Sequence, residues 1–179
     1  MNRETRKKPL VFSLVIATFL TAIEGTIVST AMPKIVGDLG GSHLYTWVIS
    51  VYLLATVITT PIFGKLADLF GRKKMFVIGV IIFLIGSTLS GFSQTMGQLV
   101  VFRLVQGIGA GALATLPFTI IGDVFTFEER GKVQALMSSV WGISGIIGPL
   151  TGGLIVDTIS WHWIFFMNIP FGIISLFLF

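Results

Sequence analysis

Long runs of uncharged, mostly apolar residues alternate with short charged segments along the whole chain. The runs occupy residues 9–23, 39–64, 75–102, 104–122, 133–156 and 158–179. Because a helix that crosses a bilayer needs about 20 mostly apolar residues, we predict helices over 10–31, 46–64, 75–92, 98–121, 133–155 and 164–179. The pattern therefore predicts an all-α integral membrane domain over 10–179, in which the sixth helix is truncated.

The composition favours a lipid environment for most of the surface. Hydrophobic residues make up 54% of the chain and charged residues 11%, against about 25% charged residues in soluble domains. These values exclude a soluble enzyme, a disordered chain and a nucleic-acid-binding domain. The chain has no cysteine and only two histidines, His43 and His162. Since thiolate and histidine ligands are lacking, we expect no metal and no cofactor, and we find no set of catalytic residues.

The distribution of positive charge predicts the orientation of the helices. Ten of the twelve Lys and Arg residues fall in the N-terminus and in the loops 65–74 and 122–132, whereas the other three loops contain only Lys34. By the positive-inside rule we expect a cytoplasmic basic N-terminus over 1–9 in a multi-pass protein of the plasma or inner membrane. A cleaved signal peptide is the alternative, but the first apolar run continues to Ala31 without a convincing small-residue cleavage site.

Two ionisable residues, Glu24 and Arg103, lie inside predicted spans. Each costs a few kcal/mol to insert into the bilayer, so each indicates a functional site by default. At about 1.5 Å per residue, both lie roughly 21–23 Å from the cytoplasmic face of a 30 Å core, and we expect them to face one cavity. The alternative is a buried pair that only fixes helix packing. Weaker candidates for a cavity are Thr26, Tyr52, Gln106 and Asn168.

Two glycine-rich stretches, 103–113 and 142–153, indicate close helix contacts. The pairs Gly107/Gly111 and Gly148/Gly152 have the four-residue spacing that places both glycines on one helix face. Pro149 removes a backbone hydrogen bond and is expected to bend the fifth helix near the level of Glu24. Tight packing alone is the simpler interpretation of any single glycine.

The segment GKLADLFGRKK (64–74) is predicted to be a tight turn between the second and third spans. Asp68 is placed to pair with Arg72 as a cytoplasmic latch, and Asp123 at the end of the fourth helix is placed to join them. A positive-inside anchor explains the basic residues but not the glycines. Phosphate binding is a weak alternative, because the sequence lacks GxxxxGK[ST]. We expect the other acidic loop residues, among them Asp38 and Glu129, to be solvated.

Several of these segments resemble signatures of the major facilitator superfamily. The segment 64–74 resembles its loop-2–3 signature, RLVQGIGAGAL (103–113) resembles its helix-four signature, and 144–153 is similar to its helix-five antiporter signature. AIEGTIVSTAMP (22–33) and WHWIFFMNIPFG (161–172) resemble segments of the 14-helix drug:proton antiporter branch, with Glu24 in place of the usual Asp. The residues that fill the loop-2–3 and helix-five signatures are Gly64, Asp68, Gly71, Arg72 and Lys73, and Ser144 (in place of a glycine), Gly148, Pro149, Gly152 and Gly153.

The resemblance implies the N-terminal half of a transporter, built from inverted three-helix repeats around a central substrate site. It implies export of amphipathic or cationic drugs, antibiotic resistance, and a proton gradient as the energy source. Arg103 is implied in proton transfer, and Glu24 in carrying the proton or contacting the substrate. The resemblance covers only one half of such a transporter, so we expect a fragment that needs the C-terminal half or a second copy as partner.

Two other functions fit the same residues. A non-transporting membrane scaffold would use the small-residue faces to pack against other proteins. A proton-coupled symporter of a nutrient is the second alternative, and the helix-five Gly-Pro segment argues against it.

Overall fold

A computed structural model describes the backbone of residues 3–179 and the side chains from Lys7 onward. Arg3 and Arg6 of the predicted basic N-terminus therefore lie outside the described side chains. The described chain forms helices and contains no strand within 3–179. The helices are α1 (Arg3–Leu39), α2 (Tyr45–Phe70), α3 (Arg72–Gly91), α4 (Met96–Val124), α5 (Phe127–Thr158), α6 (Trp163–Phe166) and α7 (Asn168–Leu178), with a short 3-10 turn at Ser42–Leu44.

Five helices, α1 to α5, are long and apolar enough to cross a membrane, and Trp163–Leu178 forms a shorter apolar segment. The helices extend beyond the apolar runs that predicted them. The segment 64–74 is the main example, because α2 continues to Phe70 and α3 begins at Arg72. The turn is thus confined to Gly71, which has a positive φ of 95°. Glycine adopts positive φ angles readily because it has no Cβ to clash with the backbone.

The sixth apolar segment is helical over Trp163–Leu178, close to the helix predicted over 164–179, and its regular hydrogen bonding is interrupted only at Met167, whose backbone stays in the right-handed helical region. It divides at Met167 into α6 and α7. Pro170 explains the position of the break, because proline has no N–H to donate to the carbonyl four residues earlier, at Phe166. The break brings Asn168 to the start of α7, where its side chain is buried. In contrast, α5 is continuous through Pro149.

Small residues on α4 allow it to pack closely against two neighbours. Gly107 and Gly111 lie against the backbone of α2, and Gly109 lies against the backbone of α3 at Phe83. On the α3 side, a Cβ at Gly86 would overlap the backbone of Gln106. Threonine hydroxyls of α2 also donate across the contact to α4 carbonyls, including Thr59 Oγ1 to the Ile108 oxygen at 3.2 Å. The predicted Gly107/Gly111 face is therefore the contact with α2.

The contact between α1 and α5 uses a different set of small residues. Ser144, Gly148 and Gly152 recur every four residues on α5 and are buried. Gly148 lies against the side chain of Thr26, and Gly152 lies against Ile27. Gly153 also belongs to the predicted signature. A Cβ added to Gly153 would have no neighbour within 4 Å, so this residue takes no part in the contact.

The buried apolar side chains form two clusters along the bundle. One cluster includes Leu14, Leu20 and Leu116, and the other includes Ile23, Met32 and Leu99. On α1 the boundary between the clusters falls between Leu20 and Ile23, next to Glu24. On α4 it falls between Leu99 and Ala110, the interval that contains Arg103. The apolar core is therefore divided by a polar layer.

Candidate functional site

Glu24 on α1 and Arg103 on α4 form an ion pair at the centre of this polar layer. Their side chains are 0% and 1% exposed respectively, so the pair is enclosed by the helices. The two side chains contact each other directly in this conformation. That they face one transport cavity stays a prediction. Isolated charges would be very costly to bury at this depth, and pairing reduces that cost.

Arg103 is held by three further groups from α2 and α4. Its Nε donates to the Val48 carbonyl at 3.3 Å, and its Nη1 donates to Gln106 Oε1 at 2.8 Å. The guanidinium carbon also lies 4.0 Å from the centroid of the Tyr52 ring, which is cation–π geometry. The positive charge is consequently stabilised by groups other than Glu24.

Glu24 is connected on its other side to the broken sixth span. Its Oε2 accepts a hydrogen bond from Asn168 Nδ2 at 2.9 Å. The same nitrogen donates to Ser87 Oγ on α3 at 2.9 Å, and Ser87 Oγ in turn donates to the Phe165 carbonyl at 2.8 Å. Both carboxylate oxygens are thus occupied, and the network contains residues of α1, α2, α3, α4, α6 and α7.

The weaker sequence candidates separate into two groups. Tyr52, Gln106 and Asn168 all contact the ion pair or its partners directly. Thr26 does not join them, because its hydroxyl donates to the carbonyls of Ile23 and Ser144 at the α1–α5 contact. Sequence reasoning missed Ser87 and the Val48 carbonyl. Nothing in the apolar run 75–92 distinguishes Ser87 from its neighbour Ser90, and a backbone oxygen has no sequence signal.

Among the described residues, one buried polar atom at the site, Gln106 Nε2, lacks a partner, and so do Ser90 Oγ and Ser144 Oγ elsewhere in the bundle. A buried donor without an acceptor is costly, and Gln106 Nε2 belongs to the amide that accepts from Arg103. The layer thus has hydrogen-bonding capacity that this conformation does not use. Among the described side chains, from Lys7 onward, no group of three His, Asp or Glu residues is placed to hold a metal ion.

A second arginine cluster lies at the end of the bundle that carries Lys7, Lys8, Lys65 and Lys132, which we call the basic end. Arg72 pairs with Asp68 and also donates from Nε to Asp123 Oδ2 at 2.9 Å. These contacts join α2, α3 and α4 as the sequence predicted. Lys73 does not take part, because its Nζ contacts the Phe179 carbonyl at 3.4 Å. A Cβ added to Gly64 would have no neighbour within 4 Å, so this glycine makes no close helix contact.

Acidic residues expected to be solvated also make specific contacts. At the basic end, Glu129 pairs with Lys7 at 2.8 Å. At the opposite end, Asp38 accepts from Trp161 Nε1 at 3.1 Å. Partial burial lowers the pKa of the neighbouring His162, and the charge of Asp38 opposes that shift. Thus charge-assisted contacts fix helix ends on both sides of the apolar core.

Together, the helices and the enclosed ion pair define a multi-pass membrane protein of the α-helical class. The family model described as Major Facilitator Superfamily matches residues 14–179. The chain belongs to the Major Facilitator Superfamily, and it has the six-helix fold of that family's N-terminal half. The family and the fold class predicted from the sequence are therefore confirmed.

The chain is similar to several curated transporters. It is 47% identical to Multidrug resistance protein 3 of Bacillus subtilis, covering 98% of this chain and 34% of that protein. It is 45% identical to Multidrug transporter protein MdtP of the same species (97% and 32% covered) and 42% identical to Efflux pump dotC of Dothistroma septosporum (94% and 30%). The chain thus spans about a third of the length of these relatives.

A solved structure of a D-xylose–proton symporter has the same fold. It superimposes with a TM-score of 0.83 at 15% identity, over 95% of this chain and 47% of the symporter. At this identity the likeness concerns the fold alone.

Proposed function

We propose that this chain is the N-terminal half of a proton-coupled exporter of drugs or other amphipathic small molecules. The observation that carries the proposal is the enclosed Glu24–Arg103 pair, whose carboxylate belongs to a network that joins every long helix except α5. The relatives named as multidrug transporters and efflux pumps support the substrate class. The basic end faces the cytoplasm in this proposal, in agreement with the positive-inside rule.

Protonation of Glu24 is the proposed coupling step. A neutral carboxyl group no longer attracts Arg103 strongly, but the arginine keeps the Val48 carbonyl, Gln106 and Tyr52 as partners. Those three partners belong to α2 and α4, whereas Glu24 and Asn168 belong to α1 and α7. Protonation therefore weakens the connection between these two pairs of helices, while the arginine keeps hydrogen-bond and cation–π partners.

Alternating access follows if the weakened layer opens towards a central site. Rocking of two six-helix halves around a midplane site is the general mechanism of transporters of this architecture. The second half is supplied by a C-terminal half or by another copy of the chain. The proton gradient is the energy source, and the proposed substrates are amphipathic or cationic.

The test replaces Glu24 by Gln in the full-length transporter, reconstituted in proteoliposomes with an imposed pH gradient. The variant keeps the size and the Asn168 hydrogen bond of Glu24 but cannot bind the coupled proton. We expect uphill export of a cationic dye to be lost, while dye exchange without a gradient continues. Glu128→Gln is the matched control, because Glu128 is exposed at the start of α5.

The outcome is decided by comparing the two substitutions. Uphill export by Glu24→Gln at the wild-type rate would exclude Glu24 as the proton carrier. Equal loss in Glu24→Gln and Glu128→Gln would also contradict the proposal, since any removed carboxylate would then have the same effect.

A further inference from the structure

A furrow runs along the contact between α1 and α5, away from the buried ion pair. Its first part is a cavity of about 540 Å³ at the basic end, and its second part is a cavity of about 260 Å³ closer to the middle of the bundle. Val15 lines both cavities, so they lie next to each other along α1. Phe171 of α7 borders the inner part.

The two ends of the furrow differ in chemistry. Three lysines and one carboxylate, Glu129, line the outer part at the basic end together with apolar side chains, whereas the inner part is lined only by apolar side chains. Residues of the α1 wall recur at helical spacing, and so do those of the α5 wall. On α1 the wall residues include Lys8, Val11, Phe12, Val15 and Phe19. On α5 they include Lys132, Val133, Leu136, Val140 and Ile143.

The lysines that line the outer part of the furrow differ in whether a carboxylate pairs with them. Lys7 already has partners within the protein, because its Nζ lies 2.8 Å from Glu129 and 5.2 Å from the centroid of the Phe125 ring. Lys8 and Lys132 are exposed, and neither has a carboxylate partner among the described side chains. Two ammonium groups without a carboxylate partner among the described side chains therefore lie at the mouth of the furrow.

The length of the furrow suits one leaflet of a bilayer. From Lys8 to Phe19, α1 rises about 16 Å at 1.5 Å per residue, close to half of a roughly 30 Å hydrocarbon core. A protein helix about 10 Å wide and as long as the furrow would occupy more than about 1000 Å³, which exceeds the cavities of about 540 Å³ and 260 Å³ taken together. A flexible hydrocarbon chain is the better match in shape.

We propose that this furrow is a binding site for an anionic phospholipid of the leaflet at the basic end. The phosphate lies between Lys8 and Lys132, and one acyl chain follows the apolar walls past Val15 towards Phe19. Charge complementarity selects the headgroup, since basic residues near a membrane surface attract acidic lipids. The apolar walls select a long-chain amphiphile over a free anion. The site is independent of proton coupling and does not use Glu24 or Arg103.

The test titrates the purified full-length protein with phosphatidylglycerol and with phosphatidylcholine of the same acyl chains, counting bound lipids by native mass spectrometry. Each lysine contributes about fivefold to affinity at an anionic surface, so we expect phosphatidylglycerol to bind at least about tenfold more tightly. Lys8→Gln/Lys132→Gln is expected to reduce this preference to about twofold. The control Lys65→Gln/Lys74→Gln removes the same charge at the same end and is expected to keep the preference.

Further ligands test the apolar part of the site. Phosphatidylglycerol with eight-carbon chains is expected to bind much more weakly than the long-chain lipid, and glycerol phosphate is expected not to compete. Leu136→Trp, at a half-exposed position of the wall, is expected to weaken the binding of long-chain phosphatidylglycerol.

Three results would overturn the proposal. One is equal affinity for the two headgroups in the wild type. Another is the same loss of preference in both lysine double variants, which would indicate a general charge effect. The third is effective competition by glycerol phosphate, which would indicate an anion site without a lipid chain.

Discussion

The chain contains two arginine–carboxylate clusters with the same chemistry and opposite surroundings. Arg103 and Glu24 are almost completely enclosed, at 1% and 0% exposure. Arg72 is 29% exposed, and its partners Asp68 and Asp123 are 62% and 52% exposed. The enclosed arginine also has uncharged partners, whereas Arg72 relies on two carboxylates.

The difference teaches that environment, and not residue type, determines what such a cluster does. An exposed ion pair contributes little to stability, because water and salt screen the charges. An enclosed pair offers no clear stability advantage over apolar side chains, but removing one member leaves an uncompensated charge. We therefore interpret Glu24–Arg103 as a functional element within the core and Arg72–Asp68–Asp123 as a clamp between helix ends.

The largest expected effect comes from breaking the enclosed pair. Arg103→Leu leaves the Glu24 carboxylate without its cation and is expected to lower the free energy of unfolding by about 3–5 kcal/mol. Adding Glu24→Gln removes the unpaired charge, so the double variant is expected to be more stable than the single one. Denaturant titration in detergent, followed by the fluorescence of tryptophans such as the buried Trp161, measures both. A double variant that is no more stable than Arg103→Leu would contradict the explanation.

The second prediction distinguishes the packing around the two clusters. A Cβ at Gly86 would overlap the backbone of Gln106, the residue that holds Arg103, whereas Gly64 near the exposed cluster has open space. Gly86→Ala is expected to destabilise the protein by about 1–3 kcal/mol through overpacking. Gly64→Ala is the matched control, and it is expected to be neutral or slightly stabilising because alanine favours helix. Equal thermal midpoints for the two variants would show that α3 and α4 do not need this close approach.

The smallest expected effect comes from the exposed cluster. Arg72→Gln removes both ion pairs of the clamp, yet the loss of stability is expected to be several times smaller than in Arg103→Leu, because the groups are screened by water. The effect should shrink further as ionic strength rises. Unfolding measured at low and high salt tests this directly. A loss as large as that of Arg103→Leu, unchanged by salt, would mean that the two clusters are equivalent.

Much of the bundle could be predicted because the bilayer imposes simple rules on sequence. Uninterrupted apolar runs predicted the number of helices and their approximate positions. Counting residues placed Glu24 and Arg103 at one depth, since every helical residue adds about the same rise. Helix ends were less predictable, as the continuation of α2 to Phe70 shows. Polar residues can continue a helix beyond its apolar part. The start of a charged segment therefore does not show where the helix ends.

The candidate site was only partly predictable, because side-chain partners depend on helix rotation. Thr26 and Asn168 were equal candidates in the sequence, but Asn168 binds Glu24 and Thr26 faces α5. Ser87 had no distinguishing signal, although its hydroxyl receives a hydrogen bond from Asn168. A rotation of one helix by half a turn would exchange such roles without changing the hydrophobic pattern.

By itself, the sequence determined the membrane class, the five long apolar helices with a shorter sixth segment, and the shared level of the two buried charges, because hydrophobicity and helical rise are properties of each segment alone. Only the tertiary structure decided that Glu24 and Arg103 are enclosed by the bundle, that Ser144, Gly148 and Gly152 form the α5 contact without Gly153, and that lysines and apolar walls meet along one furrow. These features depend on how helices rotate and approach one another. That arrangement is set by packing between segments distant in the chain, which no single segment encodes.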